Sequence, residues 1–249
     1  MFSKFQRKKQ NNQLFYHTDV HSHILPGVDH GSQNIEQSLE MLRAEREMGI
    51  TTVVLTSHVT AETFENTPDT LRPAFELLKE TVAETEDLAH MKLFLSAEYR
   101  IDEFWDKQYK LGNQIAMPGN YILMENSFHQ ELLELDDLLF DLRVKGYKPI
   151  LAHPERYGYY SARKQRLEQL HGMGIKFQVN LLSLAGYFGQ HCRETAMWLV
   201  KNNMVDMLGS DMHGMDHAKI IQDYINSKEW RKKIAPQLQA HIINDLVRD

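Results

Sequence analysis

The chain has 249 residues, 42% of them apolar, a formal net charge of −6 and one cysteine. The length suits one large domain or two small ones, and the apolar share supports a sizeable core. One cysteine excludes an intrachain disulfide, the lack of any run of 18 apolar residues excludes a transmembrane helix and membrane insertion, and the negative charge argues against nucleic-acid binding.

Residues 1–15 read as a basic, flexible arm carrying Lys4, Arg7, Lys8 and Lys9; contact with an anionic membrane surface is the alternative. The arm lacks the apolar segment of a secretory signal, so the expected location is cytoplasmic. The rest, 16–249, reads as a single domain. YHTDV (16–20) is the first expected strand and runs into DVHSHILPGVDHG (19–31). His21 and His23 alternate, so on a strand they share one face and can hold one metal ion from the same side. Asp29 and His30 follow a few residues on. The first helix spans 34–49, with Asn34 as N-cap and Gly49 just past its end. Strand and helix then alternate: strand 50–58, helix 69–90, strand 92–98, a loop, strand 121–126, helix 130–146, strand 148–155, helix 161–174, strand 175–180, helix 191–203 and strand 205–213. Gly146, Gly174 and Asn203 end helices where a left-handed residue is expected. Cys192 lies in the last of these helices, whose apolar face is Ala196, Leu199 and Val200, and reads as a packed thiol. The Cys-x5-Arg loop of cysteine phosphatases would need arginine at position 198, where Trp198 stands, so that mechanism is excluded.

Seven short apolar strands with helices between them indicate a parallel α/β fold covered on both faces. A doubly wound sheet fits that alternation as well as a barrel does, and the strand ends separate the two. The strands close on His21 and His23, then His58, Glu98, Glu125, His153, Asn180, and finally Asp211 with His213. Asp, Glu and His make up only about a fifth of the chain. In an open sheet ligands gather at the switch point, whereas every strand of a barrel can contribute to one site at its carboxyl end. A distorted seven-stranded TIM-like barrel is therefore expected. Imidazoles and carboxylates without thiolates suit manganese, iron or zinc over magnesium or calcium. The ligand candidates exceed the capacity of one ion, so two or three divalent ions are expected, with Glu98 the natural bridge. Such a cluster suits in-line displacement at phosphorus by a metal-activated hydroxide, that is, phosphoester hydrolysis.

The stretches HSHILPGVDHG, TSH, SAEYR, LMEN, LAHPERY, QVNLLSLAGYFG and GSDMH together resemble the PHP (polymerase and histidinol phosphatase) superfamily. They are most similar to its metal-dependent bacterial protein-tyrosine phosphatases of capsular and exopolysaccharide synthesis, and the likeness covers 16–249. It implies that His21, His23, Glu98 and Asp211 hold one metal and that Glu98, Glu125 and His153 surround a second. A third would be taken by Asp29 or His30 with His58 and His213. Relatives commonly read Asp-Asp-Gly at 29–31, and both residue types present here can ligate. The resemblance implies manganese as the metal and the tyrosine-rich tail of a membrane-bound polysaccharide-export kinase as the partner. Arg156, His58 and Asp211 are the expected catalytic residues. Arg156 would bind phosphate, which a guanidinium suits because it pairs two non-bridging oxygens; the alternative is a surface ion pair with Glu155. Some relatives carry a second arginine after the final Asp-x-His; here His217 or Lys219 stands nearby, or the second clamp is missing.

Two other readings stay open. One is a phosphatase of the same superfamily acting on a small metabolite such as histidinol phosphate or a nucleotide, and the other a metal-stabilised binding module. Tyr157, Tyr187 and Phe188 fall in loops at the ligand end and can either wall a pocket or pack on the rim. The loop after His58 is long enough for a lid, although most such loops only cover surface.

Overall fold

The computed structural model describes residues 12–248. Lys4, Arg7, Lys8 and Lys9 of the expected basic arm lie outside the described residues. Its end, residues 12–15, lies against the domain: Leu14 is buried, its N–H donates to Met48 O at 2.8 Å, and Phe15 stacks on Trp230 at 6.1 Å.

In chain order, β1 (Thr18–Ser22) and α1 (Ile35–Glu47) precede β2 (Thr52–Leu55), β3 (His58–Val59) and α2 (Pro68–Glu84). Next come β4 (Lys92–Leu95), β5 (Glu98–Arg100), α3 (Glu103–Leu111), β6 (Tyr121–Glu125) and α4 (Leu135–Val144). β7 (Lys148–Ala152), α5 (Gly158–Ser161), α6 (Lys164–Gly172) and β8 (Lys176–Asn180) follow. The chain continues through α7 (Leu181–Ala185), α8 (Gln190–Lys201), β9 (Met207–Gly209), α9 (Met215–Ile225) and α10 (Ala235–Leu238). The fold is α/β with two parallel sheets, ordered β1-β2-β4 and β3-β5-β6-β7-β8-β9. Where seven unbroken strands were expected, the second and third are each split in two. The split lies at Thr56–Ser57 and Ser96–Ala97, where Glu98 N–H is shared between Thr56 O and Ser57 O at 3.2 and 3.1 Å and the ladder passes from one sheet to the other. The two sheets meet again at a lone parallel bridge between Ser22 and Met212.

Alternate residues of a strand face opposite ways, and here both faces are buried. On β6, Ile122 and Met124 join the large core under the helices, while Leu123 joins a second cluster with Val20, Val54, Ile150 and Met207. That double burial is why the strands read as apolar runs. The helix caps follow the sequence: the Asn34 side chain accepts from Gln37 N–H and Gly49 has φ +94°. α8 buries Ala196, Leu199 and Val200 as expected, and burying each of the two larger side chains is worth about 1.5–3 kcal/mol. Two expected helices are shorter, because Thr85 turns extended and residues 133–134 form a turn before α4 starts at Leu135. α3 lies where a loop was expected. Asp102 caps it by accepting from Trp105 N–H, Trp105 anchors it in the core, and Gly112 closes it at φ +74°.

Candidate metal centre and reaction pocket

Every chemically capable strand end points to the same edge of the sheets. His21 lies near the end of β1 with His23 just beyond it, Glu125 closes β6, His153 follows β7, and Asp211 lies two residues past β9. His58 and Glu98 open β3 and β5, past the two strand breaks, and pair with each other in the ladder. Ligand-type atoms of four overlapping triads lie within 4.8 Å of one another: His23, His58 and His213; His21, His23 and Asp211; His21, Glu98 and His153; and His58, Glu98 and Glu125.

The backbone is forced to make this convergence. Gly31 passes so close to His23 that a Cβ there would lie 2.1 Å from His23 O, and a Cβ on Gly209 would lie 2.7 Å from His21 Cβ. His153 and Asp211 occupy the left-handed region at φ +32° and +47°, a conformation that non-glycine residues adopt at a cost. The Asp211 turn is held by its N–H donating to His21 O at 2.8 Å. Beneath it, the buried Asp19 carboxylate accepts from Ser210 N–H, Ser210 Oγ–H and His21 N–H, tying β1 to the end of β9.

Hydrogen bonds fix which ring nitrogen of His21, His23 and His213 faces the centre. Asp211 Oδ2 can only accept, so Asn180 turns its Nδ2 towards it at 2.6 Å. Asn180 Oδ1 then accepts from Gln178 Nε2 at 2.7 Å, which leaves Gln178 Oε1 to accept from His21 Nδ1, also at 2.7 Å. His23 Nδ1 donates to Asp29 Oδ2 at 2.9 Å, and His213 Nδ1 donates to the Asp211 carbonyl at 3.0 Å. In all three rings Nδ1 is committed and Nε2 remains for the centre, the outer-sphere arrangement common to metal-binding imidazoles. His21 Nε2 and His23 Nε2 stand 3.3 Å apart, each within 3.5 Å of Glu98 Oε2 and Asp211 Oδ1. Glu98 Oε2 and His213 Nε2 are buried and make no hydrogen bond.

The electrostatics point the same way. Burial alone would lower His21, yet Glu98 and then Asp211 raise it to about 9; burial also opposes the rise at His23, where Asp29 dominates. Despite burial, His21 holds Glu98 and Asp211 below the ordinary carboxylate range, with His58 also acting on Glu98. Burial, then the Glu98 charge, pushes Glu125 up to about 8. Burial lowers His153 to about 4, assisted by Arg156, and His213 to about 3, assisted by His23. The centre is thus a nest of carboxylates that favours positive charge at His21 and His23, with neutral imidazoles at His153 and His213. A hard or borderline divalent ion fits that nitrogen and oxygen donor set.

Asp29 and His30 are placed differently. Asp29 is consumed by His23 Nδ1, His58 N–H and Gly31 N–H, and the His23 ring, then the His58 ring, hold its carboxyl below the ordinary range although burial opposes this. His30 is exposed at the rim, with its ring stacked 4.5 Å from His213 and 4.8 Å from His58. Neither belongs to a converging triad among the described residues.

Beside the centre opens a cavity of about 340 Å³, bordered by His58, Phe64, Arg100, Glu125, Phe128 and Arg156, among others. Arg156 does not pair with Glu155: its Nη1 donates to Asp211 Oδ2 at 2.9 Å, and its guanidinium lies 4.1 Å from the Phe188 ring centre. Glu155 is buried instead and accepts from Asn180 N–H. Tyr157 is fully buried and Tyr187 packs edge-on to His217, so the aromatic walls come from Phe64 and Phe128, which the sequence did not single out. The loop after His58 supplies Phe64, and it is pinned by Ala61 N–H donating to Asp102 at 2.8 Å and by Asn66 bonding Val28 O and His58 O at 2.9 Å. Cys192 lies outside the cavity, buried against Ser183 Oγ at 3.3 Å, and burial pushes its thiol up to about 12. Gln178 was also missed and Asn180 was noted only as a strand end, although their alternation on a buried strand is the same signal as His-x-His.

Residues 17–242 match the model of a family described as capsular polysaccharide synthesis, CpsB/CapC. The chain belongs to this family. It is 31% identical to the tyrosine-protein phosphatase YwqE of Bacillus subtilis, over 79% of this chain and 77% of that one. It is 28% identical to the tyrosine-protein phosphatase CpsB of Streptococcus pneumoniae, over 80% and 83%. A solved structure from work on YwqE and CpsB, described as metal-dependent tyrosine phosphatases, superposes with a TM-score of 0.79 at 28% identity, covering 92% of this chain and 93% of that one. CpsB/CapC membership agrees with the branch that the sequence motifs resemble. No helix among the described residues is long and apolar enough to cross a membrane.

Proposed function

We propose that this chain is a metal-dependent phosphatase that hydrolyses phosphotyrosine in protein. The observation that carries the reading is the convergence of committed-Nδ1 histidines and carboxylates beside a cavity that Arg156 borders. Divalent ions held there supply Lewis acidity, making water a nucleophile near neutral pH and offsetting phosphoryl charge. His21, His23, Glu98 and Asp211 form the first binding group, Glu98, Glu125 and His153 the second, and His58 with His213 the third. Asp29 orients His23, and His30, at the rim, is the residue proposed to complete the third group. Manganese is the proposed metal in two or three copies, with iron or zinc able to use the same donors.

Arg156 holds the phosphoryl oxygens, steadied by Asp211 and by stacking on Phe188. Phe64 and Phe128 give the leaving group apolar walls, which suits an aryl ring better than a sugar or an imidazole alcohol. A phenol, with an ordinary pKa near 10, leaves with less protonation than an alkoxide requires. We read the two sheets as one distorted seven-stranded barrel, with β2–β3 and β4–β5 each counting as one strand. The proposed partner is the tyrosine-rich tail of a membrane-bound polysaccharide-export kinase, met in the cytoplasm.

A substrate panel tests the reading. Purified protein supplied with manganese should favour phosphotyrosyl peptides over histidinol phosphate and nucleotides by kcat/KM. A preference for either small metabolite would replace this reading with the metabolite phosphatase.

A further inference from the structure

Arg100, two residues beyond Glu98 on β5, shares the Glu98 side of the strand and pairs in register with Glu125. It borders the same cavity as Arg156, and among the described residues these two are the only arginines or lysines that do so. Their commitments differ. Arg156 donates a hydrogen bond to Asp211 at 2.9 Å. The Arg100 side chain makes no hydrogen bond among the described residues, and its one ion-pair contact, Nη1 to Glu125 Oε2, spans 3.6 Å, too long for a hydrogen bond. A guanidinium carries five N–H donors in a fixed fork. A cavity-facing fork with all five uncommitted is therefore available to a ligand.

We propose that Arg100 is a second phosphate clamp, acting with Arg156 on the substrate's phosphoryl group. The proposal rests on the phosphatase reading above and adds a binding residue to it. A phosphoryl dianion entering this site meets Glu98, Glu125 and Asp211, so it needs cationic donors from the protein as well as from the metals. Arg156 has part of its fork turned to Asp211, and Arg100 supplies a free one. The Phe128 ring lies 5.8 Å from the Arg100 guanidinium carbon and 5.0 Å from that of Arg156, so one aromatic side chain braces both cations. A stacked guanidinium loses less freedom on binding, which favours arginine over lysine here.

The two residues that the sequence offered for a second clamp do not take this place. His217 turns Nε2 to Tyr187 Oη at 3.2 Å, Lys219 is exposed on α9, and neither borders the cavity.

The competing role for Arg100 is to balance the charge of Glu125 without touching substrate. Two variants and two readouts separate these roles in the metal-loaded protein. Arg100→Ala should lower kcat/KM for a phosphotyrosyl peptide by about 10²-fold, the lower end of the range for losing one charge-stabilising donor. It should weaken inhibition by inorganic phosphate by about 10- to 100-fold, the scale of a hydrogen bond to a charged group, while metal content stays at the wild-type value. Arg100→Lys keeps the charge beside Glu125 and loses the fork, so both quantities should fall between wild type and Arg100→Ala. Unchanged phosphate inhibition in Arg100→Ala at full metal content would overturn the clamp, as would wild-type phosphate inhibition in Arg100→Lys should the alanine variant fail to fold. Direct binding of inorganic phosphate keeps this test separate from the activity assignment. A wild type that ignores phosphotyrosyl peptides but binds phosphate through Arg100 refutes the function and keeps the clamp.

Discussion

Replacing Gln178 with Met removes the acceptor that commits His21 Nδ1 while nearly conserving side-chain length. Gln178 and His21 are both fully buried, and the bond lost is 2.7 Å long. A buried N–H left without a partner costs about 1–3 kcal/mol. An ion at Nε2 needs His21 protonated on Nδ1 alone; without the acceptor the ring keeps its proton better at Nε2, where Glu98 and Asp211 lie 3.4 and 3.5 Å away. The proton then occupies the position meant for the ion, and the penalty falls on metal binding. Losing an outer-sphere partner typically weakens a metal site by about 10- to 100-fold, or about 1.4–2.8 kcal/mol. The two estimates agree in scale. Competition with a chromophoric chelator should show this loss for manganese, with the circular dichroism of the metal-free protein unchanged. A variant that binds manganese as tightly as wild type would refute the chain of orientation from Asp211 through Asn180 and Gln178 to His21.

Arg156→Ala should retain metal and lower kcat/KM by about 10²- to 10³-fold, with Arg156→Lys recovering only part; near-normal turnover would remove Arg156 from the phosphate site. Cys192→Ser should keep full activity while Glu98→Gln and Asp211→Asn lose most of it, and an inactive, folded, metal-loaded Cys192 variant would overturn the mechanism. Asp206→Asn probes stability away from the site. Asp206 accepts from Lys176 Nζ at 2.7 Å, Phe177 N–H at 2.9 Å and His171 at 3.1 Å, and despite opposing burial His171 and Lys176 hold its carboxyl below the ordinary range. A depressed folded pKa stabilises above the unfolded value, near 3.9, and that contribution fades as pH falls through the folded value. The variant should therefore melt below wild type at neutral pH, with the gap closing in acid; a gap independent of pH would contradict this pairing.

Much of the site was legible because its chemistry lies at strand ends. His21, His23, Glu98, Glu125, His153 and Asp211 are polar interruptions at the close of apolar runs, a pattern that local sequence displays directly. The residues that orient them were harder to see. Gln178 and Arg100 acquire meaning only through partners far along the chain, His21 in one case and the Arg156 cavity in the other. Asp29 and His30 could not be told apart in the sequence, since both are ligand-type side chains and only the fold shows Asp29 hydrogen-bonded to His23. Helix α3 was missed because it is only nine residues long and Trp105 is its only buried aromatic, although Asp102 and Gly112 mark its ends. The two strand breaks were invisible because Thr56–Ser57 and Ser96–Ala97 continue the small or β-compatible character of their strands. Only the ladder shows the step that turns His58 and Glu98 towards each other.

The central claim is that several ions act together in a phosphotyrosine phosphatase. Protein stripped with chelator and titrated with manganese should recover phosphate release from a phosphotyrosyl peptide along a curve that breaks at two or three equivalents per chain. Full activity at one equivalent, or activity persisting in the stripped protein, would contradict it.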